Sequence, residues 1–322
     1  MSFNVNPPQD QLSSLLKHYQ NERFSDAEKL ALEITQNYPE HQFAWTVLGA
    51  VLRATGRKSE AVDANQVVVE LSPQDATAHS NLGISLKEMG RLDEAEASYK
   101  KAIALNPKLA GFHSNLGNAL QELGRMDEAL ASYAQAIALK PDFAEAYLNF
   151  GIAIKNVRFT SSNRNLYTPL TQLLIADNFT RPQDVAPSIL SLLKHDTQIK
   201  DLLLEKNSAL SLDDATSIIE SLDKLPLLHH LMRVCRLPDL QFEELFVVIR
   251  NSLLKNLDKM EVSSELIYFL STLSLHCFVN EYIYAESDEE THLISELQDK
   301  ISQTLAQSEQ PEAIKILCLA SY

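Results

Sequence analysis

The sequence predicts an all-α protein in which a superhelix of repeated helical hairpins precedes an all-helical C-terminal domain. The first reason is a near-duplication: HSNLGISLKEMGRLDEAEASY begins at residue 79, and HSNLGNALQELGRMDEALASY begins thirty-four residues later. The second reason is that apolar residues after residue 156 keep helical spacing and show little of the alternation typical of strands.

The glycines separate the two parts of the chain. Six of the eight form pairs seven residues apart that recur every thirty-four residues: Gly49 with Gly56, Gly83 with Gly90, and Gly117 with Gly124. This regularity indicates a structural role in a repeat. The last 171 residues contain no glycine. A dinucleotide-binding fingerprint, a phosphate loop and a nucleophile elbow all require glycine, so none of them lies in that half.

One repeat unit spans residues 76–109. Its first half places residues at spacings of three and four, as one helix face requires: His79, Leu82, Gly83 and Leu86. Gly90 stands where a left-handed residue ends a helix. The second half has a stripe of Ala95, Tyr99 and Ala102, and Pro107 closes the unit. Gly83 and Ala95 are small where the two helices approach, and we expect Tyr99 to contact the following unit.

The same pattern recurs on both sides of this unit. Full copies occupy residues 42–75 and 110–143, although Asn65 and Val68 replace the expected aromatic residue and alanine in the earlier copy. Residues 8–41 form a diverged copy, and a fifth begins with Tyr147, Phe150 and Gly151 but has Arg158 where glycine is due. The predicted array is therefore residues 8–156, with three full and two partial units, and the helical C-terminal domain is residues 157–322.

This period, with its small and large positions, resembles the tetratricopeptide repeat, or TPR. The resemblance implies stacked hairpins whose first helices line the inner side of a superhelix. The repeat serves many partners, so the resemblance specifies the fold more closely than the function. It implies a protein or peptide partner.

Three asparagines recur at one position of the predicted inner face, namely Asn81, Asn115 and Asn149. An amide can both donate to and accept from an extended peptide backbone. The arrangement resembles the asparagine ladder in the repeats of O-linked N-acetylglucosamine transferases. The alternative is that duplication of one hairpin copied its asparagine. The predicted peptide-binding groove also includes four neighbouring polar residues: Lys87, Asn118, Gln121 and Lys155. A groove that grips a carboxylate would need more cations than Arg53, Lys87 and Lys155 supply.

The second half reads as helices separated by polar or proline breaks. Apolar residues keep helical spacing in four segments: DVAPSILSLLKHD, SLDDATSIIESLDK, DLQFEELFVVIRNSLLKNL and SELIYFLSTLSLHCFVNEYIYA. Ser211 with Asp214, and Ser287 with Glu290, are typical of helix starts. The acidic run ESDEE suits a solvated helix N-terminus.

Candidate chemistry in this half is sparse. His229, His230 and Cys235 have the residue types of a metal site, but the second ligand cluster of a zinc site is missing, and a short buried helix is favoured. His276 is adjacent to Cys277, yet neighbouring residues of a helix point about 100° apart, so this pair is badly placed for nucleophilic catalysis. We therefore expect no catalytic residues, no metal and no cofactor.

Composition limits the partners and the compartment. The net charge is −15, which disfavours nucleic acid and anionic membrane surfaces because both are bound by clustered Lys and Arg. The three cysteines are too few for a disulfide framework, and the N-terminus has no export signal, so we expect a cytoplasmic protein. The long apolar window from Val262 contains Glu265 and His276, and it is interpreted as a core helix.

The chain as a whole resembles the leading part of bacterial fusions in which TPR units and a helical connector precede an S-adenosylmethionine-dependent methyltransferase. No methyltransferase is expected here, because its cofactor loop needs the glycines that the second half lacks. The predicted function is a non-catalytic scaffold that binds a protein or peptide, with self-association kept as an alternative. The second hypothesis is a substrate-recruiting part of a methyltransferase or other transferase whose catalytic domain is absent from this chain.

Overall fold

The computed structural model describes residues 6–176, 179–204, 211–256 and 264–279, together with residues 292, 295 and 296. The regular elements of these residues are helices, which confirms the predicted all-α class. By its internal contacts the chain divides into two compact units, Met1–Asn149 and Phe150–Tyr322. The predicted domain boundary after residue 156 stays a prediction.

Helical hairpins build the first unit, because each thirty-four-residue repeat forms two antiparallel helices around a short turn. Nine of the described helices begin in it: α1 (Gln9–Gln20), α2 (Phe24–Asn37), α3 (Gln42–Ala54), α4 (Lys58–Leu71), α5 (Ala76–Glu88), α6 (Leu92–Leu105), α7 (Ala110–Glu122), α8 (Met126–Leu139) and α9 (Ala144–Ile154). Each helix packs on the next in the chain from α1 to α8, so the hairpins share one continuous core.

The turn inside each hairpin requires a residue with positive φ. Gly56, Gly90 and Gly124 have φ of 79°, 77° and 76°, which confirms that these glycines end the first helices in the left-handed conformation. The equivalent residue of the first hairpin is Glu22, with φ of 56°. A side chain at this φ strains the backbone, so the diverged hairpin keeps the turn without the residue that suits it.

Replacing Glu22 with glycine tests this strain. We expect Glu22→Gly to raise the free energy of unfolding by about 1 kcal/mol, because left-handed backbone costs a non-glycine residue about that much. The matched control is Gly90→Ala, which has open space around its added methyl and should lower the free energy by a similar amount. Urea unfolding followed by circular dichroism measures both, and a destabilised Glu22→Gly chain would contradict the assignment.

In two of the three full repeats, the helices of the hairpin meet where a tyrosine lies on a glycine. A Cβ added to Gly83 would be 2.7 Å from Cε1 of Tyr99, and one added to Gly117 would be 2.6 Å from Cε1 of Tyr133. Both tyrosines are fully buried. We expected Tyr99 to contact the following unit, whereas this close packing is with the glycine of its own hairpin. In the second hairpin the smaller Asn65 lies against Gly49 in the same way.

A methyl group at this contact should be costly. We expect Gly83→Ala to lower the free energy of unfolding by about 1–3 kcal/mol, because the ring of Tyr99 must move within a filled core. Gly111→Ala is the control, since nothing lies within 4 Å of its added methyl and helix propensity favours alanine. Denaturant titration of both variants checks the difference; equal stabilities would show that the contact is loose.

A second repeated device joins each hairpin to the one before it. The fourth residue of each unit donates a hydrogen bond to the backbone carbonyl of a proline six residues earlier, although its side chain changes from repeat to repeat. The pairs are Trp45 with Pro39 at 2.8 Å, His79 with Pro73 at 2.9 Å, His113 with Pro107 at 2.9 Å and Tyr147 with Pro141 at 3.2 Å. The position therefore selects a ring that carries an N–H or O–H donor.

The second unit has no repeat. After a 3-10 turn at Arg164–Leu166 its helices are α10 (Tyr167–Ile175), α11 (Pro182–Leu193), α12 (Thr197–Leu204), α13 (Leu212–Asp223), α14 (Pro226–Val234), α15 (Leu240–Lys255) and α16 (Ser264–Val279). The short α14 packs on α10, α11, α13 and α16 and is central to this unit. The predicted helix start at Ser211 and Asp214 is confirmed by α13, where the two residues also form a capping box. Ser287 and Glu290, for which the capping box was expected, lie outside the described residues, as does the ESDEE run.

One buried carboxylate ties the start of the second unit together. Asp196 is fully buried and accepts hydrogen bonds from Nε and Nη2 of Arg164, both at 2.8 Å, and from Oη of Tyr167 at 2.7 Å. Burial alone would raise the pKa of Asp196, but the bonds from Arg164 and Tyr167 lower it below its ordinary value. The carboxylate therefore stays ionised inside the protein.

Candidate functional site

Six of the seven predicted binding residues lie on the first helices of the hairpins, and Lys155 follows the end of α9. We call the A-helix face the side chains of α3, α5, α7 and the part of α9 up to Asn149 that point away from the second helix of the same hairpin. Asn81, Asn115 and Asn149 take equivalent places on α5, α7 and α9, and each is partly exposed. The thirty-four-residue period brings them to the same side of successive helices.

The amides of these three asparagines are little used by the protein itself. Nδ2 of Asn115 is 3.5 Å from Oγ of Ser80, which is at the limit of a hydrogen bond. In the described part of the chain, the side chains of Asn81 and Asn149 form no hydrogen bond. Their donors and acceptors are therefore available to another molecule.

Two further predicted residues are partly engaged by a core tyrosine. Oη of Tyr133 lies 2.7 Å from Oδ1 of Asn118 and 2.9 Å from Oε1 of Gln121. The amide oxygens of both residues thus face the core tyrosine, whereas among the described residues their NH₂ groups have no hydrogen-bond partner. The sequence reasoning missed this contact, although the tyrosine stripe and the polar face were both visible in the repeat.

The predicted basic residues pair with acids. Nζ of Lys87 is 3.2 Å from Glu122, and Nη1 of Arg53 is 3.7 Å from Glu88, so each cation reaches the first helix of the next hairpin. Lys155 belongs to the second unit, where its Nζ is 3.0 Å from Asp184. Exposed pairs of this kind contribute little stability, but they neutralise the A-helix face locally.

Two candidate metal ligands of the second unit lie within its core. His229 is buried against Tyr268 with ring centroids 4.7 Å apart, and its Nδ1 is 3.3 Å from Oγ1 of Thr272. Cys235 is buried, its Sγ donates to the carbonyl of Leu231, and burial raises the pKa of its thiol to about 12. No three His, Cys, Asp or Glu side chains within the described ranges are grouped as a metal site would need.

His276 is a core residue as well. It is fully buried on α16, its ring lies 5.8 Å from that of Phe246, and Nδ1 is 3.2 Å from the carbonyl oxygen of Met232. The side chain of Cys277 lies outside the described residues, as do Glu281, Tyr282 and Tyr284, so the neighbourhood of that cysteine stays a prediction.

The burial of His276 makes the second unit sensitive to acid. Burial lowers the pKa of His276 to about 4, although the hydrogen bond to Met232 opposes this effect. An ordinary histidine in the unfolded chain titrates near 6.5. As the pH falls from 7 to 5, the unfolded state therefore gains a proton that the folded state does not. His276 should then lower the free energy of unfolding by about 2 kcal/mol.

His276→Gln tests this contribution, because it removes the titrating group and keeps a hydrogen-bond donor. Urea unfolding at pH 7 and pH 5 is followed by circular dichroism, which reports the helices of both units. The fluorescence of Trp45 identifies the transition of the first unit, so that the remaining change in circular dichroism belongs to the second unit. The variant should lose about 2 kcal/mol of the pH dependence. His113→Gln in the first unit is the control, and an unchanged pH dependence in His276→Gln would disprove the assignment.

Family models match the first part of the chain. A model described as tetratricopeptide repeat matches residues 16–76, and one described as TPR repeat matches residues 85–124 and 119–156. The matched residues are TPR units, and the regular elements of the described residues are all helices. No curated protein matches the chain.

Solved structures of TPR proteins are similar over about half of the chain. A MamA protein is 23% identical, with 46% of this chain and 83% of the other covered and a TM-score of 0.41. TTC0263, a thermophilic TPR protein of Thermus thermophilus, is 23% identical, with coverages of 47% and 82% and a TM-score of 0.41. YrrB, described as a TPR protein with an unusual peptide-binding site, is 16% identical, with coverages of 58% and 93% and a TM-score of 0.43. At these values no binding property is transferred to this chain.

Among the described residues, none of the helices combines the length and the apolar character that crossing a bilayer demands. The apolar segment from Val262 was predicted to be a core helix. The burial of Phe269, Leu270 and Leu273 on α16 agrees with this prediction.

Proposed function

We propose that this protein is a non-catalytic scaffold whose A-helix face binds an extended, uncharged peptide segment of a protein partner. The observation that carries the proposal is the row of Asn81, Asn115 and Asn149. Two of these amides have no hydrogen-bond partner in the described chain, and the third has only a marginal one. Each amide suits one C=O and one N–H of an extended backbone. Asn118 and Gln121 flank the row and offer their NH₂ groups.

The charges of the face favour an uncharged segment. Lys87 is paired with Glu122 and Arg53 with Glu88, so a carboxylate would have to displace an acid that is already in place. The net charge of −15 adds a general repulsion of acidic ligands. A binding mode based on clustered cations is therefore disfavoured, and neither nucleic acid nor an anionic membrane is the proposed partner. Lys155 belongs to the second unit, so its part in the groove stays a prediction from the sequence.

Hydrogen bonds alone give too little affinity. A net hydrogen bond contributes about 1 kcal/mol, so three asparagines give roughly 3 kcal/mol, against about 4 kcal/mol for a millimolar complex. Side-chain contacts must add the remainder. Leu148, next to Asn149, is 43% exposed and offers such an apolar contact.

The remaining parts of the assignment rest on the sequence. The cytoplasm is proposed because the three cysteines are too few for a disulfide framework. Self-association is kept as an alternative to a separate partner. The link to methyltransferase fusions stays a prediction from resemblance, and no described side-chain arrangement favours a transferase over a scaffold.

Alanine substitution of two asparagines tests the groove. A peptide array of uncharged eight-residue sequences identifies binders of the full chain, and isothermal titration gives their Kd. We expect Asn115→Ala combined with Asn149→Ala to weaken binding about thirtyfold, which corresponds to two lost hydrogen bonds. Alanine has the higher helix propensity, so the variant should fold at least as well as the original chain.

The matched control removes two amides from the other face of the hairpins. Gln66→Ala combined with Gln135→Ala alters exposed side chains of α4 and α8, and it should leave the Kd unchanged. Equal affinities of the asparagine variant and the original chain, or the absence of any peptide that binds, would exclude this groove as the site.

A further inference from the structure

The first unit contains a cavity of about 300 Å³ that opens beside the A-helix face. Most of its wall is apolar and includes Leu16 of α1 and Phe43 and Ala50 of α3, while Arg53, Asn65 and Asn81 contribute the main polar groups. Leu16 and Phe43 are 39% and 37% exposed, so the apolar wall is accessible from outside. The volume is at the lower end for ligand pockets, and it suits one side chain rather than a cofactor.

The repeat register explains why the cavity exists. Asn65 occupies the position of Tyr99 and Tyr133 in the next two hairpins, so this hairpin lacks a phenol ring. In the hairpin of α7 and α8 the hydroxyl of Tyr133 reaches Asn118 and Gln121. In the hairpin of α3 and α4, the positions of Asn118 and Gln121 are occupied by Ala50 and Arg53. Both of these residues line the cavity. The cavity is therefore the place that the ring of a repeat tyrosine would fill.

Asn65 is a buried polar residue with an unused acceptor. Its side chain is only 4% exposed. Nδ2 donates to the carbonyl of Ala61 at 3.0 Å and to Oγ of Ser85 at 2.9 Å. In the described part of the chain Oδ1 accepts no hydrogen bond, and it belongs to a residue of the cavity wall. An amide oxygen on the cavity wall that has no donor can accept a hydrogen bond from a ligand hydroxyl that reaches it.

The hydrogen bond between Asn65 and Ser85 shows that the repeat differs here at two positions and not at one. Ser85 is 1% exposed, and the equivalent residue facing the next hairpin is Ala119. In the repeat that contains Tyr99, the following unit has Ala119 at this position. In the repeat that contains Asn65, the following unit has Ser85, which accepts a hydrogen bond from the asparagine. Asn65 with Ser85 and Tyr99 with Ala119 thus occupy equivalent pairs of positions in successive repeats.

We propose that this cavity binds the phenol side chain of a tyrosine in the bound peptide, with the tyrosine hydroxyl donating to Oδ1 of Asn65. The ring would complete the stack that Tyr99 and Tyr133 continue in the later hairpins. An aliphatic side chain would leave Oδ1 without a donor, and an acidic one would meet apolar walls beside an Arg53 that already faces Glu88. The peptide as the source of the ring rests on the proposed function, whereas the phenol specificity rests on the cavity alone.

A small probe tests the cavity without a peptide. p-Cresol, which is the tyrosine side chain alone, is titrated into the ¹⁵N-labelled full chain and followed by two-dimensional NMR. We expect it to shift the side-chain NH₂ of Asn65 and the amides of Ala50 and Ser85. Toluene, which has the same shape without the hydroxyl, should bind at least fivefold more weakly. Absence of these shifts, or equal binding of both probes, overturns the phenol site.

Restoring the repeat tyrosine is the decisive variant. Asn65→Tyr with Ser85→Ala places a ring over Gly49, as Tyr99 lies over Gly83, and supplies the matching alanine. We expect an unchanged or higher melting temperature and at least a tenfold loss of p-cresol affinity. Ala50→Leu fills the cavity from α3 and provides a second test if the double variant folds poorly. A filled cavity that still binds p-cresol equally well contradicts the proposal.

The proposed peptide groove and the proposed phenol site can be disproved independently of each other. Asn115→Ala with Asn149→Ala should leave p-cresol binding intact, because neither residue lines the cavity. Peptides from the array should lose at least fivefold in affinity when their tyrosine is replaced with phenylalanine. If p-cresol binds at Asn65 but replacing the peptide tyrosine has no effect, then the cavity is a phenol site whose ring does not come from the bound peptide. If p-cresol does not bind while the asparagine variant still weakens peptides, the phenol site falls and the groove stands.

Discussion

The first unit depends on the contact of a tyrosine ring with a glycine in the facing helix. At Gly83 and Gly117 the rings of Tyr99 and Tyr133 occupy the space that a Cβ would need. The glycine lets the helices of a hairpin approach, and the buried ring fills the volume between them. Because every full unit has the same period, one local solution places all the first helices side by side. The A-helix face exists because these hairpins stack in register.

Much of this architecture could be predicted, because each copy of the repeat shows which residues are equivalent in the other copies. The thirty-four-residue offset assigns the helices, and the positive φ of Gly56, Gly90 and Gly124 follows from where each first helix must end. The direct partner of Tyr99 was not predicted, since a stripe of large residues shows which side is buried but does not identify the atoms it meets. The bonds from Tyr133 to Asn118 and Gln121 were missed for the same reason.

The second unit could be predicted only as a set of helices. Its capping box at Ser211 and Asp214 is local and follows from residue types three positions apart. The contact between Arg164 and Asp196 joins residues thirty-two positions apart that no periodicity relates. His229 and His276 are likewise core residues because α14 packs against α16, which the sequence pattern does not reveal. In a part of the chain without repeats, composition and spacing predict the helices but do not predict which helices pack against each other.

Charge pairing explains why recognition in the first unit would fall to amides. Arg57, Arg91 and Arg125 each bind the glutamate three residues later, and Arg53 and Lys87 reach acids of the following hairpin. These cations are therefore engaged within the array, and exposed ion pairs of this kind are retained at little energetic gain. What remains on the A-helix face is a row of neutral donors and acceptors beside apolar side chains. On the proposed function, such a surface would select a ligand by backbone geometry and side-chain shape more than by charge.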